Sequence, residues 1–198
     1  MRVTHAPRVR ERSALTASPQ EDDRRLIHTE LMHVQLKLVL ACPPDAAWHA
    51  LRSPSVFGEV SAPLVRFEPL EGGPFPAEWD QGPHIVRARA LFGAIDAGTQ
   101  NIDLTFRTVH SGAGDDVRIF EDHGGPLSGP LAVITRWRHR MAVAPGPTTG
   151  TTLLRDRLEF SAGLVTPLVW LGMWTFWQWR AHGLVRLAPA FARRFATD

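Results

Sequence analysis

The chain has one cysteine, one lysine and no tyrosine in 198 residues. The lone Cys42 excludes an internal disulfide and any metal site built from several thiolates. There is no His-Glu-x-x-His, no Cys-x-x-Cys, no Gly-rich phosphate loop and no Gly-x-Ser-x-Gly elbow, so the usual parts of zinc, redox, phosphoryl-transfer and serine-hydrolase chemistry are missing. No cofactor and no metal are expected on these grounds. A net charge of +2 is too small to point to nucleic acid. The basic residues are arginine apart from Lys37, a bias that reads as base composition rather than chemistry. The N-terminus lacks the charged, apolar and small-residue regions of a signal peptide, which points to a cytoplasmic address. The uninterrupted apolar run from Leu164 to Trp177 is about 14 residues, with Thr166 and Pro167 inside it, short of the roughly 20 that span a bilayer.

What the chain does have is tryptophan, and it is concentrated. Of seven, Trp170, Trp174, Trp177 and Trp179 fall within one short stretch of the C-terminal segment LVTPLVWLGMWTFWQWRAHGLVRLAPAFARRFA. A helix that apolar on nearly every side has to be enclosed. Trp170, Trp174 and Trp177 stand at i, i+4, i+7 and predict one stripe. Val169, Met173 and Phe176 predict an adjoining one, continued by Leu184, Leu187 and Phe191. Trp179, Arg180 and His182 mark where the helix turns amphipathic.

The enclosing elements are legible upstream. Residues 1–28 are polar, charged and aperiodic, and predict a flexible extension before a domain over 29–198. From Leu31, Val34, Leu36, Leu38 and Leu40 alternate with polar neighbours as in a half-buried strand. Cys42-Pro43-Pro44-Asp45 breaks it and opens a short helix, AAWHAL, and Ser53-Pro54 starts a second. Strands follow over Val65–Leu70, Val86–Phe92, Gln100–Val109, Val117–Glu121, Ala132–Val143 and Thr151–Phe160, joined by turn-like connections. Short connections imply an antiparallel meander. The class is α+β: about seven strands in a curved antiparallel sheet, two short helices after the first strand, and a long C-terminal helix.

This order and its local motifs resemble the START-like superfamily, also called Bet v 1-like or helix-grip, which includes polyketide cyclases, lipid-transfer domains and plant hormone receptors. VQLKLVLACPPDAAWHAL is similar to its first strand, Pro-containing turn and first helix. LFGAIDAGTQNIDLTF resembles its third-to-fourth strand hairpin. TRWRHRMAV and LLRDRLEFSAGLVTPLVW resemble the last two strands running into the gripping helix. The likeness covers about residues 31 to 190. It implies a helix-grip fold with a cavity between sheet and helix. It implies no activity, because the superfamily's catalytic residues differ between branches and none is matched here residue for residue.

The candidate chemistry lies on the last two strands. Val133, Thr135, Trp137, His139, Met141 and Val143 share one face, and Thr152, Leu154, Asp156, Leu158 and Phe160 share another, so His139 and Asp156 both point to the apolar side. A turn centred between Pro147 and Thr148 places them directly opposite. A buried carboxylate there has to be paired or hydrogen-bonded. Three readings stay open: a polar pair fixing strand register (or an Asp156 bonding backbone amides at the start of the helix), ligand recognition, and acid–base catalysis with His139 as base and Asp156 as its orienter.

Gln100, Leu104 and Phe106 face the same side on their strand. With Trp137, His139, Met141 and Asp156, and with Trp170, Met173, Trp174 and Trp177 from the helix, they are the expected ligand-binding residues. The Gly/Pro-rich loop EGGPFPAEWDQGP, carrying Phe75 and Trp79, is a candidate lid. The expected partner is a hydrophobic or aromatic small molecule, bound, carried or sequestered. One alternative is a cofactor-independent cyclase- or dehydratase-like enzyme. A second is contact of the Trp-rich, Arg-flanked helix with a membrane surface.

Overall fold

The computed structural model describes residues 31–70, 73–110, 112 and 116–195. The extension expected over 1–28 lies outside them. The described chain opens with β1 (Met32–Leu40), followed by two short helices, α1 (Pro44–Arg52) and α2 (Pro54–Ser61). Each helix begins at a proline, whose missing N–H would find no partner in a first turn. Then come β2 (Val65–Pro69), β3 (Gly82–Ala90), β4 (Ile95–Val109), β5 (Val117–Asp122), a two-residue β6 (Gly125–Pro126), β7 (Arg136–Pro145) and β8 (Thr152–Ser161). A short 3-10 turn, Gly163–Val165, leads into α3, Thr166–Arg194.

All strand pairings are antiparallel, in the order β1-β8-β7-β5-β4-β3-β2, with β6 paired to β4. The seven strands of that path match the expected number, and β6 is an eighth. The sheet is open, and α3 lies along its concave side against β1, α1 and α2. At Gly183, α3 packs tightly on α2: a Cβ there would sit 3.2 Å from the Val60 side chain. The end of α3 is pinned by Arg194, whose Nη1 lies 2.9 Å from Glu59 Oε2 and whose Nη2 donates to Ser55 Oγ.

Beyond strand ends that move by a few residues, the structure departs from expectation in three places that bear on the site. The segment read as the start of the strand Ala132–Val143 is instead a 3-10 turn over Pro130–Val133. Gly129 at φ 76° swings the chain over, and Ala132 N–H donates to Gly129 O. Val133 is therefore exposed rather than inward. Phe92 also leaves the inner face of its strand, because Leu91 and Phe92 both adopt positive φ in the turn after β3. The β7–β8 register is shifted by two from the expected one: Pro145 pairs with Thr152, so His139 stands opposite Leu158 and Met141 opposite Asp156. The connection is centred between Thr148 and Thr149, one residue later than expected. It is closed by Gly146 N–H donating to Thr151 O and Thr151 N–H to Thr148 O.

Burial divides the interior into two clusters. One joins α1, α2 and the C-terminal half of α3 to the sheet through Leu40, Trp48, Leu104, Phe120, Leu184 and Phe191. The other joins the N-terminal half of α3 to β1 and β8 through Val34, Leu158, Phe160, Met173 and Trp177. A cavity has walls from both.

Candidate functional site

The cavity measures about 280 Å³ and is partly enclosed. Its apolar walls come from α1 and α2 (Leu51, Val56, Phe57, Val60), from the sheet (Phe67, Ile102, Phe120, Met141) and from α3 (Met173, Phe176, Trp177, Leu184). Five polar side chains reach it: Gln100, Asp122, His139, Arg180 and the indole of Trp137. An apolar hollow with a few polar groups on its wall has the composition of a small-molecule site.

His139 lines the cavity, and Asp156 stands behind it. The register shift leaves them diagonal rather than opposite, yet His139 Nε2 lies 2.8 Å from Asp156 Oδ1. Trp177 Nε1 donates to the same oxygen at 2.9 Å. Arg180 stands behind them, its Nη1 3.9 Å from Asp156 Oδ2. The partners of Asp156 are thus side chains, not the backbone amides of the helix start. All three groups are deep: Asp156 is 2 % exposed, Arg180 4 % and His139 7 %.

Burial alone would raise the Asp156 carboxyl. The charge and hydrogen bond of His139, the charge of Arg180 and the hydrogen bond from Trp177 outweigh it and hold the group below the ordinary carboxylate range. An ionised carboxylate only accepts, so the shared proton sits on His139 Nε2 and Nδ1 is left without a protein partner among the described residues. Burial pushes the Arg180 guanidinium down, and Asp156 opposes that.

A pH dependence follows. A carboxyl whose folded value is lowered contributes stability that is fully present above its unfolded value, near 3.8, and is lost as the pH falls through the folded one. Urea midpoints measured from about pH 6 to about pH 2 should drop below about pH 4, and the drop should be shallower in Asp156→Asn. Equal slopes would contradict the lowered carboxyl.

Asp122, beside His139 in the β5–β7 register, is the second buried carboxylate. Its Oδ1 accepts from the backbone amides of Asp103 and Gly124, both at 2.9 Å, and its Oδ2 from Trp137 Nε1 at 3.0 Å. The preceding Glu121 points to the outer face, where Arg138 and Arg140 bond it, and Arg107 lies 3.8 Å away. On the same outer face Arg157 is paired to Glu159.

The residues expected at the site divide as follows. Gln100, Trp137, His139, Met141, Met173 and Trp177 line the cavity, and Trp79 joins them from the loop before β3. Asp156 lies behind that wall. Leu104 and Phe106 are outside it in the packed core, where Phe106 meets Trp48 edge-on and Phe120. Trp170 and Trp174 stack on each other away from the cavity, and Trp170 Nε1 donates to His33 O.

The expected Trp170–Trp174–Trp177 stripe is not the buried face of the helix. That face is Met173, Trp177, Arg180, Leu184, Ala188 and Phe191. In the candidate lid, whose Glu71 and Gly72 lie outside the described residues, Trp79 is buried and Phe75 packs edge-on against it. The loop is tied to α1 by Trp79 N–H to Arg52 O at 2.8 Å and by Glu78 to His49 and Arg52.

Sequence reasoning missed Arg180 and Asp122 as wall groups. Both carried a signal. Arg180 is three residues after Trp177 and four before Leu184, on the apolar face. Asp122 follows Ile119-Phe120 at the end of a strand, where alternation with Phe120 turns it inward.

No protein-family model and no curated protein matches the chain. Solved structures do. Protein XoxI of Bacillus cereus is 13 % identical, covers 79 % of this chain and 94 % of its own, and superposes with a TM-score of 0.52. Protein CV1439 of Chromobacterium violaceum is 15 % identical over 79 % of this chain and 96 % of its own, with a TM-score of 0.50. The ZhuI aromatase/cyclase from a Streptomyces species is 16 % identical over 85 % of this chain and 97 % of its own, with a TM-score of 0.43. The likeness at these identities is one of fold. The chain has a helix-grip fold, in which a curved antiparallel sheet is joined to a gripping C-terminal helix.

Proposed function

We propose that this protein binds a hydrophobic or aromatic small molecule in the cavity between its sheet and α3. The observation that carries the reading is the cavity itself: about 280 Å³ of space between two packed clusters, apolar on most sides, with a few polar groups from the sheet and from α3. A domain built for stability alone would fill such a space, since an empty cavity costs about 24 cal/mol per Å³. Trp137 joins the wall to Asp122 and is the residue to remove. Titration of the protein with a library of lipids and aromatic compounds, followed by thermal shift and calorimetry, should find binders whose affinity falls at least tenfold in Trp137→Ala. A library without a single binder would sink the reading.

A second reading is acid–base catalysis of the cyclase or dehydratase kind. It is favoured by one observation: His139 lines the cavity with Nδ1 unpartnered among the described residues while Asp156 holds Nε2. His139→Gln should then abolish turnover of a bound polyketone while leaving binding within a few-fold, whereas pure binding predicts no turnover by either protein.

A third reading, contact with a membrane surface, draws on the exposed Leu164, Leu168 and Leu171 at the start of α3. Among the described residues no helix is long and apolar enough to cross a membrane, so this would be a surface contact. Liposome flotation that is lost in Leu164→Asp/Leu168→Asp would support it.

A further inference from the structure

Arg180 is the group in this molecule with the most left undone. It is 4 % exposed and lines the cavity. A guanidinium carries five N–H donors in a rigid planar fork. Among the described residues Nε is buried with no hydrogen-bond partner, and the carboxylate oxygen near Nη1 is Asp156 Oδ2 at 3.9 Å. The nearest carboxylate cannot serve. Asp156 Oδ1 is taken by His139 and Trp177, and Oδ2 stands 3.9 Å from Nη1, beyond hydrogen-bond reach. The other carboxylate of the wall, Asp122, accepts from Asp103, Gly124 and Trp137 and, among the described residues, takes no bond from Arg180.

The surroundings hold this cation in place without satisfying it. Its guanidinium carbon lies 5.0 Å from the Trp177 ring centroid, 5.9 Å from that of Phe57 and 6.0 Å from that of Phe176. Aromatic rings attract a cation but accept no directed N–H bonds of the kind a fork makes. A buried donor left without an acceptor is a standing cost to the fold. The cost is removed when something that enters the cavity brings oxygen.

We infer that the cavity's ligand is an organic acid: an apolar or aromatic body with a carboxylate, or an equally acidic oxygen, that docks on Arg180. Carboxylate oxygens match the guanidinium fork two at a time. The apolar body occupies the space lined by Met173, Ile102 and Val60, and the acid end lies on the α3 wall. This inference rests on the cavity-binding reading and narrows it to one ligand class.

The test uses the whole chain and matched pairs of fused-ring aromatic carboxylic acids and their methyl esters, naphthoic acid and methyl naphthoate first, titrated by calorimetry at neutral pH. Acids should bind at least tenfold more tightly than their esters. Arg180→Met should erase that ratio by weakening the acids while leaving the esters within a few-fold. Arg180→Lys, which keeps the charge and loses the fork, should retain part of it. Thermal unfolding of each variant checks that it folds. If Arg180→Met does not, the acid-to-ester ratio of the unaltered protein and of Arg180→Lys decides. Esters that bind as tightly as acids, or a ratio unmoved by either substitution, overturn the inference and leave cavity binding standing. No binding by either series overturns both.

Discussion

Asp156→Ala should cost about 3–5 kcal/mol of stability, the range for removing one partner from a buried charged group. The substitution takes away the acceptor of His139 Nε2 and Trp177 Nε1 and the counter-charge of Arg180 in one step. It leaves a buried guanidinium with no anion within reach, which is the costliest state the interior can hold. Urea unfolding of the two proteins at neutral pH measures the loss. Asp156→Asn should fall between them, because the amide can still accept from Trp177 but brings no charge. Arg180→Met introduced into the Asp156→Ala background should return part of the stability, a coupling that a double-mutant cycle reads directly. A loss below about 1 kcal/mol would mean that the cation and the imidazole do not depend on this carboxylate.

Gly172→Leu should do the opposite to stability and remove binding. Gly172 lies on α3 in the cavity wall, and a Cβ built there meets nothing within 4 Å. Replacing a helical glycine gains about 1 kcal/mol from backbone entropy alone, and Gly172 is an exposed residue on the rim of the cavity, where a longer side chain obstructs entry. Stability should rise by about that amount or more while affinity for any cavity ligand falls at least tenfold, about 1.4 kcal/mol. Gly172→Ala separates the two effects, gaining most of the helix term and losing little room. Unfolding and calorimetry on the same samples read both. A Gly172→Leu protein that binds as before would place the ligand elsewhere.

Much of this architecture was legible because alternation survives along most strands. Val34, Leu36, Leu38 and Leu40, and again Ile102, Leu104 and Phe106, announce their buried faces residue by residue. Alternation also put His139 and Asp156 on one side of the sheet whatever the register, and a register shift by an even number preserves that. What alternation cannot give is the register itself. Here it depended on how Gly146, Thr148 and Thr151 close their loop through backbone bonds.

The helix misled in a different way. Tryptophans at i, i+4, i+7 read as its inner stripe, but its phase is set by Gly183 against Val60 and by Arg180 turning inward to Asp156. A charged residue on the buried face looks like the end of an apolar pattern when only periodicity is weighed. Similarly, Leu91 and Phe92 turn outward because their backbone takes positive φ, which the side chains do not foretell. The missed wall groups, Arg180 and Asp122, are polar residues at apolar positions. They are the places where the sequence departs from its own pattern, and the site gathers around them.

The central claim is that the cavity holds a molecule, and native mass spectrometry of the protein purified from its own host tests it most directly, with a denatured control to release and identify what is bound. The account predicts one hydrophobic species per chain, lost from Trp137→Ala. A protein that flies empty, and that shows no thermal shift across a lipid and aromatic library, would contradict it and leave His139, Asp156 and Arg180 as supports of the fold.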